Sequence, residues 1–146
     1  MTRRESLAGR EMSFAGRLGL KAENALQLAD TIEQGLPYRA FERLQADMGV
    51  THRELAGLVG ISARTLARRK IEARLQPEES ERLVRASRIF DDAVMLFEGD
   101  KVAALNWLRS PARALSGRQP IEFARSEVGA REVEDLIGRL EQGVFG

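Results

Sequence analysis

The residues with the clearest chemistry lie between Ser62 and Lys70, in the segment SARTLARRK, where cationic side chains recur with few apolar residues between them. The planar arginine guanidinium donates a fork of hydrogen bonds that fits phosphate oxygens and the edge of guanine. Ser62 is a residue type that caps helices, and Leu66 supplies one apolar anchor. The segment therefore predicts a short helix whose outer face binds a polyanion, and DNA is the candidate.

A second short helix is predicted immediately before this segment. Thr51 can cap it, and Ala56 is small enough for two helices to cross closely. Gly60 suits a left-handed turn, and the apolar Ile61 can fill the corner. This spacing is typical of a helix-turn-helix. The alternative is an ordinary αα-hairpin within a bundle, but the nearly uniform positive charge of the second helix favours DNA binding.

The N-terminal residues of a recognition helix lie nearest the bases. We therefore expect Arg64, Thr65 and Arg68 at or near base edges, and Arg69 and Lys70 at phosphates or with partly packed stems. Because one helix-turn-helix contacts few phosphates, a homodimer on operator DNA is expected. The predicted DNA-binding residues are Thr51, Arg53, Ser62, Arg64, Thr65, Arg68, Arg69 and Lys70.

The net charge of +1 over 146 residues conceals an uneven distribution. Residues 51–85 carry eight basic and five acidic side chains, a surplus of +3, whereas residues 1–50 balance at 0. Residues 86–146 carry eight basic and ten acidic side chains, a balance of −2. The positive surplus thus coincides with the predicted helix-turn-helix, as phosphate binding requires.

The composition argues against an enzyme. There is no cysteine, and His52, the only histidine, has no histidine or cysteine partner for a metal or nucleophilic site. The adjacent acids Asp91-Asp92 and Glu78-Glu79 point to different sides of a helix, and we interpret them as solvated. No glycine-rich phosphate loop occurs. We expect no catalytic residue, metal or cofactor.

The chain shows no targeting or membrane signal. No apolar run is long enough to span a bilayer, and the charged first residues lack the apolar region of a secretory signal. The absence of cysteine fits a reducing compartment. We therefore expect a cytoplasmic protein with no membrane contact.

The hydrophobic periodicity is helical in every clear segment, so the predicted fold is all-α. We expect a flexible N-terminus at 1–20, a helix-turn-helix domain at 21–75, a long connecting helix at 76–99 and a small helical domain at 100–146. The last helix is predicted over Ala130–Gln142, ended by Gly143 and followed by a short apolar tail.

The order of three pieces resembles a known family. They are RTLARRK at Arg64–Lys70, the WL and proline of Trp107–Pro111, and a terminal glycine and proline pattern over Gly117–Gly143. Together, over residues 36–146, they resemble the Xre/MbcA/ParS antitoxins of RES-type toxin–antitoxin pairs. The terminal pattern has little in common with generic helix-turn-helix regulators.

The resemblance implies a RES-domain toxin partner that consumes NAD by hydrolysis, phosphorolysis or ADP-ribosyl transfer. The antitoxin would bind it through the C-terminal domain, with the chain end at or near the NAD site, and would repress its own operon through the helix-turn-helix. An acidic-leaning half with an apolar tail suits a protein partner. The implied toxin-binding residues are Arg131, Asp135, Arg139, Gln142, Gly143, Val144, Phe145 and Gly146.

Two other functions are compatible with these observations. One is a helix-turn-helix transcriptional regulator with a ligand-sensing C-terminal domain, which needs a hydrophobic pocket with convergent polar groups. The other is an interaction module in which the helix-turn-helix only dimerises. A neighbouring RES-domain reading frame would favour the antitoxin over the sensor, and salt-dependent DNA binding would exclude the pure interaction module.

Overall fold

A computed structural model describes residues 12–143, and within this range every regular element is helical, which confirms the all-α prediction. Two isolated β-bridges join Pro37 to Arg74 and Ala112 to Arg118. No helix among these residues is long and apolar enough to cross a membrane. The α-helices are α1 Ala25–Gln34, α2 Tyr38–Met48, α3 His52–Leu58, α4 Ala63–Glu72, α5 Pro77–Leu96, α6 Lys101–Leu108, α7 Pro120–Phe123 and α8 Glu127–Glu141, with a 3-10 turn at Arg113–Leu115.

The chain divides into two compact units, and the division falls between Ser87 and Arg88, within α5. The first unit contains α1 to α4 and the beginning of α5. The second contains the rest of α5 and all later helices. The long helix predicted at 76–99 is therefore present as Pro77–Leu96, but it contributes residues to both units.

The predicted flexible N-terminus is wrong for part of its length. Residues 12–17 are helical, and Phe14 and Leu18 are buried in the first unit. The Ser87 hydroxyl donates a hydrogen bond of 2.9 Å to the Phe14 carbonyl. Weak local periodicity hid this segment, because tertiary burial and not helix propensity stabilises it. Residues 1–11 lie outside the described part of the chain.

The core of the first unit contains the face of α2 that the periodicity predicted. Phe41 and Leu44 are fully buried, and Tyr38 and Met48 nearly so. Burial raises the pKa of the Tyr38 phenol, as expected for a group whose charged form loses hydration. This face packs in the same core as buried residues of α3 and α5, among them Leu55.

The corner between α1 and α2 is joined to the end of α4 by backbone hydrogen bonds. The Leu75 amide donates to the Leu36 carbonyl at 2.8 Å, and the Tyr38 amide donates to the Ala73 carbonyl at 3.0 Å. Gly35 has a φ of 87°, and a Cβ there would overlap the Leu75 carbonyl oxygen. Only glycine fits this close approach.

The second unit packs α5 and α6 around the apolar face of α8. Val133, Leu136 and Ile137 on that face are buried, as predicted. The helix nevertheless begins at Glu127 and not at Ala130, because the Ser126 hydroxyl caps it by accepting the Gly129 amide at 3.0 Å. The ion pair between Arg88 and Glu134, 2.7 Å long, joins α5 to α8.

Candidate functional site

The helix-turn-helix has the local geometry that its sequence predicts. The Thr51 hydroxyl accepts the Glu54 amide at 3.0 Å and caps α3. After α3 ends, Gly60 takes a φ of 67°, and the Ile61 amide donates to the Ala56 carbonyl at 2.9 Å. Ile61 is buried in the corner. The turn therefore directs the chain into α4 through a left-handed glycine and an apolar plug.

The N-terminal half of α4 exposes the side chains expected to read DNA. The Ser62 hydroxyl accepts the Thr65 amide at 3.1 Å and donates to the Thr65 hydroxyl at 3.0 Å. Arg64 and Arg68 are exposed and lie four residues apart, so they share one face of the helix, while Thr65 is half-buried. The exposed members of the predicted set are Thr51, Arg53, Ser62, Arg64, Arg68 and Lys70.

Arg69 corrects the sequence analysis, which placed it among the possible phosphate contacts. Only 8% of Arg69 is exposed. Its Nε donates to Glu79 Oε1 at 2.7 Å and its Nη2 to Glu79 Oε2 at 3.2 Å, a bidentate pair. A third contact, from Nη1 to Glu72, is 3.4 Å long. Arg69 therefore joins α4 to α5 and is not available to a phosphate.

Glu79 is likewise buried and not solvated as expected. Burial alone would raise its pKa, but hydrogen bonds from Arg69 and from the Gln76 amide, with the charge of Arg69, outweigh burial and lower the pKa. The hydrogen bond to Glu79 raises the pKa of Arg69 in turn. Both groups are therefore charged at neutral pH.

Two more basic residues of the positive segment bind backbone carbonyls. Arg82 Nε donates to the Val59 carbonyl at 2.6 Å, which satisfies the end of α3 beside the turn. Arg74 Nη1 donates to the carbonyls of Gln34 at 3.2 Å and Gly35 at 2.8 Å, at the end of α1. Charge counting missed these roles, since it does not distinguish a cation that faces solvent from one that caps a helix.

A second exposed surface runs along α8. Arg131, Asp135, Arg139 and Gln142 are all exposed on the side opposite the buried face. Spacings of four, four and three residues place them in one row along the helix. Val128 lies three residues before Arg131 and is 73% exposed. We call this row, Val128, Arg131, Asp135, Arg139 and Gln142, the α8 stripe.

The α8 stripe spans about 21 Å of helix at 1.5 Å per residue. Arg131 lies 3.5 Å from Glu127 in an exposed pair, so the charge remains accessible to a partner. Gly143 follows the helix with a φ of 76°. Val144, Phe145 and Gly146 lie outside the described residues. The sequence analysis missed Val128 because it started the helix too late, although Ser126 is a recognisable cap.

The chemistry that the sequence analysis considered and rejected has no counterpart in the described residues. No group of three or more histidine or acidic side chains in residues 12–143 is placed to hold a metal ion. His52 is exposed, with its ring 5.9 Å from that of Phe41. Asp91 is buried and not solvated as expected, and the half-buried Trp107 lies 6.5 Å from Phe97.

These two surfaces define a helix-turn-helix protein with a second helical unit that exposes a charged stripe. The model of the antitoxin Xre-like helix-turn-helix domain matches residues 27–88, and that of the antitoxin Xre/MbcA/ParS C-terminal toxin-binding domain matches residues 92–143. The chain therefore belongs to the Xre/MbcA/ParS antitoxin family, with a helix-turn-helix and a toxin-binding domain.

Two curated relatives carry the same domains over most of their length. "Antitoxin Xre" of Yersinia enterocolitica serotype O:8 / biotype 1B is 40% identical over 129 residues, 88% of this chain and 87% of the relative. "Antitoxin Xre" of Photorhabdus laumondii subsp. laumondii is 31% identical over 128 residues, 87% of this chain and 86% of the relative. The alternative of a ligand-sensing C-terminal domain gains no support from these matches.

Proposed function

We propose that this antitoxin neutralises a RES-domain toxin that consumes NAD, and that it represses its own operon as a homodimer through the helix-turn-helix. It acts in the cytoplasm by binding and not by catalysis, without a cofactor. The observation that carries the toxin-binding part is the α8 stripe, which leads directly into Gly143 and the apolar chain end.

The α8 stripe has the composition of a protein-binding surface. Arg131, Asp135 and Arg139 alternate in sign, which favours one charge-complementary partner and register over others. Val128 at one end and the chain end at the other supply apolar contacts. If Phe145 enters a toxin pocket, its burial contributes about 1.5–3 kcal/mol. In this proposal the stripe orients the antitoxin, and the chain end occludes the NAD site.

Removal of the chain end tests this proposal. A variant that ends at Gln142 should fail to protect, or protect less well, when it is co-expressed with the RES-domain product of the neighbouring reading frame. The intact chain should restore growth and the cellular NAD level. An immunoblot and the far-UV circular dichroism of the truncated protein control for abundance and folding. Full protection by the truncated chain would reject the role of the tail, and no protection by either would reject the RES partner.

The operator-binding part of the proposal rests on α4. Its capped N-terminus, with Arg64 and Arg68 exposed on one face, matches the part of a recognition helix that enters the major groove. Arg69, Arg74 and Arg82 hold the unit together instead. The local positive surplus available to DNA is therefore smaller than the charge count suggested.

Substitution of Arg64 tests DNA recognition. Arg64→Ala should weaken binding to the operon's promoter fragment by about 1–3 kcal/mol, because a bidentate base contact is lost. Fluorescence anisotropy titrations at several KCl concentrations would measure this loss and the salt slope. Arg125→Ala, at an exposed arginine of the second unit, is the matched control. If both variants bind as the wild type does and salt has no effect, α4 does not bind DNA.

A further inference from the structure

Helix α1 has an apolar face that its own chain leaves largely uncovered. None of its residues is buried, although Leu26, Leu28 and Ile32 are apolar. Leu26 is 79% exposed. A helix of ten residues is only marginally stable in water without tertiary packing. The same holds for the end of α4, where Ile71 is 87% exposed and Arg69 is the only buried residue of the helix.

These two apolar regions are connected. Arg74, just after α4, donates hydrogen bonds to the carbonyls of Gln34 and Gly35 at the end of α1. The Tyr38 amide also bonds the Ala73 carbonyl. The C-terminal ends of α1 and α4 therefore lie side by side. We call the region formed by the exposed and half-buried faces of α1 and the last turn of α4 the α1–α4 surface.

The charges on the α1–α4 surface separate into two halves. Residues 22–38 contain no lysine or arginine, and Asp30 and Glu33 of α1 are exposed. Lys70 and Arg74 are exposed at the end of α4. The acid of that turn, Glu72, lies within 4 Å of two arginines of its own helix. The acidic half disfavours nucleic acid as the occupant.

We propose that a second copy of this chain covers the α1–α4 surface through a two-fold axis. In such an interface each patch meets its equivalent, so residue i contacts j while j contacts i. A surface with an acidic half, a basic half and apolar side chains between them is self-complementary in this arrangement. The acidic side of α1 in one protomer faces the basic end of α4 in its partner, and Leu26 and Ile71 become buried.

This interface rests on the homodimer of the proposed function and specifies where it forms. It uses the C-terminal end of α4, whereas base contacts come from the N-terminal end of a recognition helix. Arg64 and Arg68 therefore stay free to contact DNA in each protomer. Lys70 lies at the border between the two surfaces.

Sedimentation velocity on the full chain over a range of micromolar concentrations tests the interface. The wild type should sediment as a dimer. Leu26→Glu and Ile71→Glu should each raise the dimer dissociation constant at least tenfold, because a charge would be buried in an apolar contact. The matched control is Val102→Glu, at an equally exposed valine of the second unit, which should leave the dimer unchanged. Far-UV circular dichroism checks that each variant keeps its helices.

The outcomes separate this inference from the proposed function. A wild-type dimer that Leu26→Glu and Ile71→Glu leave intact would overturn the α1–α4 surface and keep the homodimer. A wild-type monomer at all concentrations would overturn both. Toxin neutralisation in the co-expression assay should be retained by Leu26→Glu, since the stripe on α8 is untouched. Loss of dimerisation in both variants and not in Val102→Glu is the supporting result.

Discussion

Arg69→Ala is expected to destabilise the first unit by about 3–5 kcal/mol. The substitution leaves the Glu79 carboxylate buried without the two hydrogen bonds, of 2.7 and 3.2 Å, that offset its burial. It also removes a direct connection between α4 and α5. Urea unfolding followed by the ultraviolet absorbance of Tyr38, the only tyrosine and a buried residue of this unit, would measure the loss.

The neighbouring arginine supplies the control. Arg68 has a side chain that is 64% exposed and lies 3.9 Å from Glu72 in a pair within α4. Arg68→Ala should change the free energy of unfolding by no more than about 0.5 kcal/mol, while it weakens operator binding. Equal destabilisation by the two substitutions would contradict a structural role specific to Arg69.

The same pair predicts the direction of an acid effect. Because the folded pKa of Glu79 lies below its ordinary value of 4.5, its stabilising contribution is fully present above that value. The contribution is lost as the pH falls through the lowered folded pKa. The difference in stability between the wild type and Arg69→Ala should therefore narrow below pH 4.5. A difference that is constant from pH 7 to pH 3 would contradict this linkage.

Gly129→Ala is expected to destabilise the second unit by about 2–3 kcal/mol, the usual cost of forcing extra volume into a packed site. A Cβ at this position would overlap the carbonyl oxygen of Phe123, and Ser126 Oγ lies close by. Relief requires the start of α8 to move away from α7. Fluorescence of Trp107, the only tryptophan and a residue of the second unit, would follow unfolding in urea.

A second glycine of the same helix is the matched control. Gly138 lies in α8 with no atom within 4 Å of the place where a Cβ would stand. Gly138→Ala should stabilise the unit by about 0.5–1 kcal/mol, since alanine loses less backbone freedom on helix formation. If both glycines respond in the same direction, the close approach at Gly129 does not govern the stability of α8.

Local sequence signals were sufficient for the helix-turn-helix. Thr51 and Ser62 are hydroxyl caps within three residues of the amides they accept, and Gly60 provides the left-handed turn. These interactions join residues that are close in the chain, so spacing alone defines them. The buried face of α8 was predictable for the same reason, because helical periodicity is also a local property.

Long-range contacts decided the rest. Arg68 and Arg69 are chemically identical neighbours, and only the position of Glu79, ten residues later, makes one exposed and the other buried. Phe14 and Leu18 form a buried segment only because the folded first unit covers them. The sequence by itself determined the helices, the turn and the family resemblance. Tertiary structure determined which cations remain available to DNA, because burial and pairing depend on residues that are distant in the chain.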